Sequence, residues 1–314
     1  MKAKIIFVGT PDFAVTILQE LFKKGYEPAL VITAPDKPVG RKNILTAPPI
    51  KNLAKRHGIP VEQPFRIIEI KDKIKALAPD LMIVVAYGYI IPKEVFEIPK
   101  HGTINIHPSL LPKFRGPSPI QTAIMEGELN CGITIIKIDE EIDHGPIIAK
   151  KAIEMPHGIY YKDLEMKLAE LGADLLIKTI PKWINKKIEA SPQDDLVASF
   201  TKIIKKEDGK INWARLKAWE VEKRIRALQP WPSSFTYWEK EKERILVKIL
   251  QGEPTELEET NTPGKVYSSK KDKIVIRCQS GSLIVRKLQL EGKNSMTEKE
   301  FVLGHEGFIG TVLK

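Results

Sequence analysis

The chain has 314 residues, 42% hydrophobic and 29% charged, with a formal net charge of +10. That length exceeds one ordinary α/β core and points to two domains, and the composition is globular rather than disordered or fibrous. No apolar run is long enough to span a bilayer, Lys4–Val8 lacks a signal peptide's layout, and Cys131 and Cys278 have neither zinc-site nor redox spacing, so a cytoplasmic protein without a disulfide framework is expected.

Lys4 to Val8 reads as a strand, and Gly9-Thr10-Pro11-Asp12 as its turn into a helix ending near Phe22, with Thr10 as N-cap and Pro11 at the first helical position. Strands follow at Ala29–Thr33, Asp80–Ala86, Gly102–His107 and Gly132–Ile138, separated by helices at Ile50–His57, Ile67–Leu77 and about Ser118–Met125. Short, continuously apolar strands alternating with helices predict a doubly wound, mostly parallel Rossmann-like α/β sheet. Pro146–Ile153 is the expected antiparallel return and Tyr161–Trp183 a long closing helix. Beyond a helix near Ala214–Leu228, short strands with turns at Asn261–Gly264 and Ser280-Gly281 predict a smaller, OB-like β-barrel. The expected division is a catalytic domain at 1–188, a linker at 189–206 and a basic barrel at 207–314.

Charge is uneven along the chain. From Thr201 onward 23 Lys and Arg face 16 Asp and Glu, a balance of +7 against +3 for the first 200 residues. A basic second domain suggests a polyanionic partner, most simply nucleic acid. A solvated Lys-rich surface, as in heat-adapted proteins, gives the same balance, so charge alone decides neither.

Gly9-Thr10-Pro11 has the position of a phosphate-binding turn, but there is no G-x-G-x-x-G and no Walker lysine, so no dinucleotide or nucleoside triphosphate cofactor is expected. Asn105-Ile106-His107 is more informative. A lone histidine near a core is ordinarily structural, but Asn105 and His107 lie two apart on a strand and project to one face. The carboxyl end of such a strand faces the ligand crevice of an open α/β sheet. Pro108 to Pro112 then forces an irregular loop, and Asp143, in a turn closed by Gly145, can reach the same crevice. These groups suit acyl transfer to an amine: amide and imidazole stabilise the oxyanion, while the carboxylate orients the imidazole and assists the amine's deprotonation. No serine nucleophile elbow or catalytic cysteine motif accompanies them, which favours direct attack over a covalent enzyme intermediate. His144, adjacent to Asp143, is expected at the surface.

These residues resemble the 10-formyltetrahydrofolate-dependent formyltransferases, whose signature is Asn-x-His, then Ser-Leu-Leu-Pro, and a later Asp-x-Gly. The resemblance implies 10-formyltetrahydrofolate as cosubstrate, no metal, and catalytic roles for Asn105, His107 and Asp143. It places the folate-cradling loop at Ser109, Leu110, Leu111 and Pro112, and the pterin-pocket lining at Tyr89, Ile90 and Ile91. It extends through Gly9–Ala14, Pro112–Gln121, Lys206–Trp213 and Ile225–Pro232, across both predicted domains. Those runs are similar to the branch whose acceptor is the α-amino group of methionyl initiator tRNA.

The segment from Ala34 to Pro48 is long for a strand-to-helix connection, and its three basic residues suit either an anionic ligand or ordinary surface charge. By resemblance it enters the acceptor end of the tRNA, with Arg41 and Lys42 as contacts. The basic barrel becomes a platform for the tRNA backbone, with candidates at Lys202, Lys205 and Lys206, at Lys270, Lys271 and Lys273, and at Arg286 and Lys287. Neither a membrane nor an obligate protein partner is implied. Trp213, Trp219, Trp231 and Trp238 are expected to pack around the domain junction, and the tail from Phe301 to Lys314 has no assigned role.

Overall fold

Runs of branched aliphatic residues, buried at every position, form the strands at the centre of the molecule. In the computed structural model, which describes residues 3–40, 43–240, 243–268, 273–305 and 307–314, the elements begin with β1 (Ile5–Gly9), α1 (Asp12–Lys23), β2 (Leu30–Ile32), β3 (Lys37–Val39), β4 (Ile44–Thr46), α2 (Pro49–Arg56) and β5 (Val61–Glu62). Then come α3 (Lys71–Leu77), β6 (Leu81–Val85), α4 (Lys93–Phe96), β7 (Thr103–His107), α5 (Pro119–Glu126), β8 (Asn130–Lys137), β9 (Ile147–Glu154) and α6 (Tyr161–Ile184). The remainder is α7 (Ala218–Ala227), β10 (Ser234–Lys240), β11 (Glu243–Thr255), β12 (Val266–Ser268), β13 (Ile274–Arg277), β14 (Ser282–Leu290), β15 (Ser295–Thr297) and α8 (Glu298–Gly304). The chain divides into two compact units, one of Met1–Pro119, Leu129–Met155 and Leu164–Lys202, the other of Ile120–Glu128, Pro156–Asp163 and Ile203–Lys314.

The first unit is built on a seven-stranded sheet in the order β5-β2-β1-β6-β7-β8-β9. Every residue of β1 and β6 is buried, as expected of strands covered on both faces. The strands from β5 to β7 pair in parallel, whereas β8 runs antiparallel to β7 and β9 antiparallel to β8. The sheet therefore reverses at β8, one strand earlier than the sequence suggested; a strand buried from Cys131 to Ile136 has the same apolar pattern in either direction.

Two local expectations also change. Pro11, not Thr10, occupies the N-cap of α1 with no side-chain cap bond, because the Thr10 hydroxyl donates to Tyr87 O at 3.3 Å. The helix read from Ile67 to Leu77 divides into a 3-10 turn at Ile67–Ile70 followed by α3.

The placement of α6 sets the orientation of β7. A Cβ on Gly172 of α6 would lie 3.3 Å from the Ile106 side chain, so the helix lies close against the Ile106 face of β7. Alternation along the strand then puts Asn105 and His107 on the opposite face.

The second unit is antiparallel, in the order β10-β11-β14-β13-β12 with β15 added to β14. Its core gathers Trp213, Val221, Ile225, Trp238, Val247, Ile249, Ile276 and Val285. The tail completes it. Thr297 and Glu300 form a capping box at the start of α8, and Phe301 and Phe308 are fully buried beside Trp238, with Phe308 edge-on to its ring at 5.1 Å. The last residues join the two free edges: Leu313 N donates to Gly264 O at 2.9 Å and Val266 N to Thr311 O at 2.8 Å, while Lys314 exchanges both backbone bonds with Tyr237 at 2.9 and 3.0 Å. Residues 301–314 thus bridge β12 to β10.

Trp213 and Trp238, expected around a domain junction, lie in the core of this unit, while Trp219 and Trp231 are 45% and 59% exposed. Lys223 lies 4.4 Å above the Trp219 ring. No helix among the described residues is long and apolar enough to cross a membrane.

Candidate active site

The structure brings Asn105, His107 and Asp143 together. Asn105 Nδ2 donates to Asp143 Oδ1 at 3.1 Å, and His107 Nδ1 lies 3.5 Å from Asp143 Oδ2. His107 Nε2 is 2.9 Å from Phe114 O; a carbonyl only accepts, so Nε2 carries hydrogen and Nδ1 is the nitrogen that meets the carboxylate. Gly116 N donates to Asp143 Oδ2 at 2.9 Å. The His107 and Asp143 side chains are 5% and 14% exposed, so the pair sits where Coulomb terms are weakly screened. Because β8 runs antiparallel, the loop carrying Asp143 starts beside Thr103, where Ile138 N donates to Thr103 O at 2.9 Å, and turns back over the Asn105–His107 face.

Two glycines allow that path. A Cβ on Gly145 would come within 1.8 Å of Lys137 O, so no side chain fits there without moving the backbone. Gly116 has φ +106°, and a Cβ there would meet Thr201 Oγ1 at 2.9 Å.

A second set of groups surrounds the first and was not recognised in the sequence. Arg115, buried, donates through Nε and Nη2 to Gln193 Oε1 at 3.1 and 3.0 Å, and through Nη2 to Asp195 Oδ1 at 2.7 Å. Gln193 Nε2 in turn donates to Asp143 O and Gly145 O. The guanidinium beside Asp195 holds that carboxyl below its ordinary range. His144, about one third exposed, pairs with Asp139 at 2.6 Å, and that hydrogen bond raises its pKa from the ordinary 6.5. Residues 189–206, read as a linker, include Gln193 and Asp195, and through Ser199 and Phe200 they hydrogen-bond and bridge to Phe114 and Arg115.

The Ser109–Pro112 loop is shaped from within. Thr134 Oγ1 accepts from Leu111 N at 3.1 Å and donates to Ser109 O at 2.7 Å, Lys150 Nζ donates to Leu111 O, and the Leu111–Pro112 bond is cis. Ser109 Oγ donates to Lys113 O at 2.6 Å and the Leu111 side chain is fully buried, so both work inside the loop. The Tyr89–Ile91 segment follows β6, the parallel neighbour of β7, so both segments leave the same edge of the sheet. There Ile90 is 85% exposed, Tyr89 is tilted against Tyr87 at 5.2 Å, and Ile91 packs on the core. A cleft of about 780 Å³ opens at the other end of β7, lined by His101, Gly102, Lys137 and Trp183 and by none of the three candidate catalytic residues.

Within the 34–48 segment β3 and β4 pair antiparallel as a hairpin. Arg41 and Lys42 lie outside the described residues, as do Lys270 and Lys271. At its base Asp36 accepts from Lys51 Nζ at 2.8 Å and from Gln63 Nε2 at 2.7 Å, bonds that hold its carboxyl below the ordinary range. Lys37 Nζ stands 5.4 Å over the Tyr89 ring. Lys202, Lys205 and Lys206 are exposed, whereas Arg286 is tied to Glu253 at 2.6 Å and Glu298 at 3.5 Å.

Both thiols are buried, and desolvation pushes Cys131 up to about 11 and Cys278 to about 12, so neither is a thiolate nucleophile near neutrality. Among the described residues no group of three or more His, Cys, Asp or Glu is placed to hold a metal ion.

A Rossmann-like sheet whose crevice holds an amide, an imidazole and a carboxylate, joined to an antiparallel second unit, is matched along the chain by known proteins. The model described as formyl transferase matches residues 1–180, and that of its C-terminal domain matches 203–306. The chain belongs to the formyl transferase family, a family of enzymes. It is 41% identical over 313 residues to the methionyl-tRNA formyltransferase of Bacillus cytotoxicus, covering 99% of this chain and 98% of that protein. It is 37% identical over 312 residues to that of Geobacter sulfurreducens, covering 99% and 96%. HypX of Aquifex aeolicus, solved in complex with tetrahydrofolic acid, shares the fold with a TM-score of 0.66 at 16% identity, over 98% of this chain and 48% of that one.

Proposed function

We propose that the chain transfers the formyl group of 10-formyltetrahydrofolate to the α-amino group of methionyl initiator tRNA by direct attack of the amine. The observation that carries this reading is the convergence of Asn105, His107 and Asp143 in the β7 crevice of a chain alignable over 99% of its length with methionyl-tRNA formyltransferases. The amine nitrogen forms the new bond to the formyl carbon. The tetrahedral oxyanion then collapses with rupture of the bond to folate N10, and the proton lost by the ammonium goes to that leaving nitrogen.

Asn105 has one amide hydrogen beyond the one given to Asp143, and it serves the oxyanion; the His107 imidazole joins it when substrate draws the Nε2 hydrogen away from Phe114 O. Asp143 orients His107 and assists the deprotonation; their 3.5 Å separation shortens when substrate is bound. The folate lies along the edge shared by Tyr89–Ile91 and Ser109–Pro112. The tRNA acceptor end meets the β3–β4 hairpin through Arg41 and Lys42, and the basic region at 207–314 takes its phosphates. No metal takes part, and the reaction belongs to the cytoplasm, where translation starts.

The test offers charged initiator tRNA, a sugar nucleotide and water as formyl acceptors. Formylation of the tRNA is expected, with His107→Ala and Asp143→Asn each reducing kcat about 10²–10⁴-fold while tRNA affinity changes little. Equal losses in turnover and affinity would remove the catalytic assignment, and preference for the sugar nucleotide would overturn the acceptor. Arg41→Ala is expected to weaken tRNA use and spare folate binding; unchanged kinetics on tRNA would remove the hairpin's role.

A further inference from the structure

Asp143 has φ 51°, a left-handed conformation uncommon outside glycine, though aspartate adopts it more readily than most residues. One side chain holds this turn from 50 residues away. Gln193 Nε2 donates one hydrogen to Asp143 O at 2.8 Å and the other to Gly145 O at 2.9 Å, so it holds the carbonyls of the Asp143–His144 and Gly145–Pro146 peptide units. Its Oε1 is taken by Arg115 Nε and Nη2 at 3.1 and 3.0 Å, which fixes the direction of the amide. Arg115, its side chain 4% exposed, also gives Nη2 to Asp195 at 2.7 Å. Arg115 also directly precedes Gly116, whose N–H reaches Asp143 Oδ2 at 2.9 Å. The arginine that aims Gln193 at the Asp143 carbonyl thus stands next to the backbone donor that receives the Asp143 carboxylate, and the bonds close into a ring.

A residue needed only to tie down the loop would require one bond to one carbonyl. Gln193 uses both donors on one loop and its acceptor on a buried cation, which sets an angle as well as a distance. We propose that Gln193 is a positioning residue for formyl transfer: oriented by Arg115, it fixes the Asp143 backbone and so aims the carboxylate at His107 and Asn105. The proposal rests on the reading of Asp143 as a catalytic group.

Gln193→Glu separates positioning from folding. A carboxylate at this position keeps Arg115 paired but turns lone pairs toward both loop carbonyls. It is expected to lower kcat about 10–100-fold, since misplacements of an ångström have effects of that size, with KM for folate and for tRNA within about 2-fold. The thermal midpoint falls less than in Gln193→Met, because the Arg115 pairing is kept, and the pH profile of kcat is displaced because Asp143 no longer meets His107 in the same geometry. Gln193→Met, which lacks a partner for Arg115, is expected to lower kcat similarly and the midpoint as well. Asp195→Asn, at a side chain 63% exposed that keeps an oxygen for Arg115, is expected to lower kcat a few-fold in the same direction.

The proposal is overturned if folded Gln193→Glu keeps wild-type kcat and pH profile, or if kcat across the three variants merely follows the thermal midpoint. Should Gln193→Glu not fold, Asp195→Asn decides: a lowered kcat at unchanged midpoint supports positioning, and an unchanged kcat overturns it. Wild-type protein and Asp143→Asn run alongside. An inactive wild type, or an Asp143→Asn variant as active as wild type, refutes the catalytic reading itself, and the positioning role with it.

Discussion

Around Asp143, the carboxylate, its own carbonyl, the Gly145 carbonyl and the Arg115 guanidinium all have partners, drawn from segments as far apart as residues 105 and 195. On the β3–β4 hairpin Ile44 and Leu45 stand 61% and 68% exposed; Thr46 bonds within its own strand, to Ile44 O, and Asp36 at the base bonds to Lys51 and Gln63. Groups that make and break bonds gain from being fixed beforehand, because they need no reorganisation at the moment of reaction. A two-stranded ribbon without a core does little to stabilise itself, and its exposed apolar residues suit a surface that a partner completes. The molecule places its interior contacts at the proposed site of chemistry and leaves the proposed grip on the large substrate to be finished by that substrate.

The sharpest way to break this contrast is at Gly145. A methyl group there must displace the loop from Lys137 O, and Gly145→Ala is expected to reduce kcat about 100-fold while the far-ultraviolet circular dichroism spectrum and tRNA affinity persist. Wild-type turnover would mean that the loop tolerates movement and that rigidity is not what the site uses. On the hairpin the opposite signature is expected. Ile44→Ser with Leu45→Ser should raise KM for tRNA about 10-fold, the scale of one or two lost apolar contacts, and leave kcat and folate binding alone.

A smaller effect is expected at the hairpin's anchor. The Asp36 carboxyl is held below its ordinary 3.8 by Lys51 and Gln63, so its contribution is present above that value and lost only as pH falls through the lower folded-state value. Asp36→Asn should therefore raise KM for tRNA a few-fold throughout neutral pH, and a KM that rose only in acid would contradict the anchor. His144 has the reverse sign. Its pKa is raised by Asp139, so what it contributes is complete below 6.5 and disappears as pH rises through the raised value. His144→Asn is expected to lower stability by at most about 1 kcal/mol near pH 6 and by nothing near pH 9, read as melting temperature against pH. A difference that grew with pH would refute the ion pair.

Much of this was legible in the sequence because it is periodic. Continuous apolar runs marked β1, β6 and β7, and a two-residue alternation put Asn105 and His107 on one face. Arg115 and Gln193 were not legible as partners, since 78 residues separate them and Gln193 sits in a polar, proline-bearing stretch that reads as a connection. The direction of β8 was hidden because a continuously buried run reads the same in either direction. The hairpin was hidden because β4 is exposed throughout and so lacks the pattern by which strands are recognised. Trp219 and Trp231 differ for a related reason: large aromatics read as core, but α7 turns only some of its residues inward, and Trp231 follows that helix at the surface.

The tail has a consequence for how the protein is made. Synthesis delivers Phe301, Phe308 and Lys314 after every strand that they cover or join. Until they emerge, the edges at Tyr237 and Val266 lack these backbone partners and Trp238 lacks its aromatic cover. A nascent chain stalled short of residue 301 thus presents two open strand edges and an apolar surface, the features on which chaperones and aggregation both act.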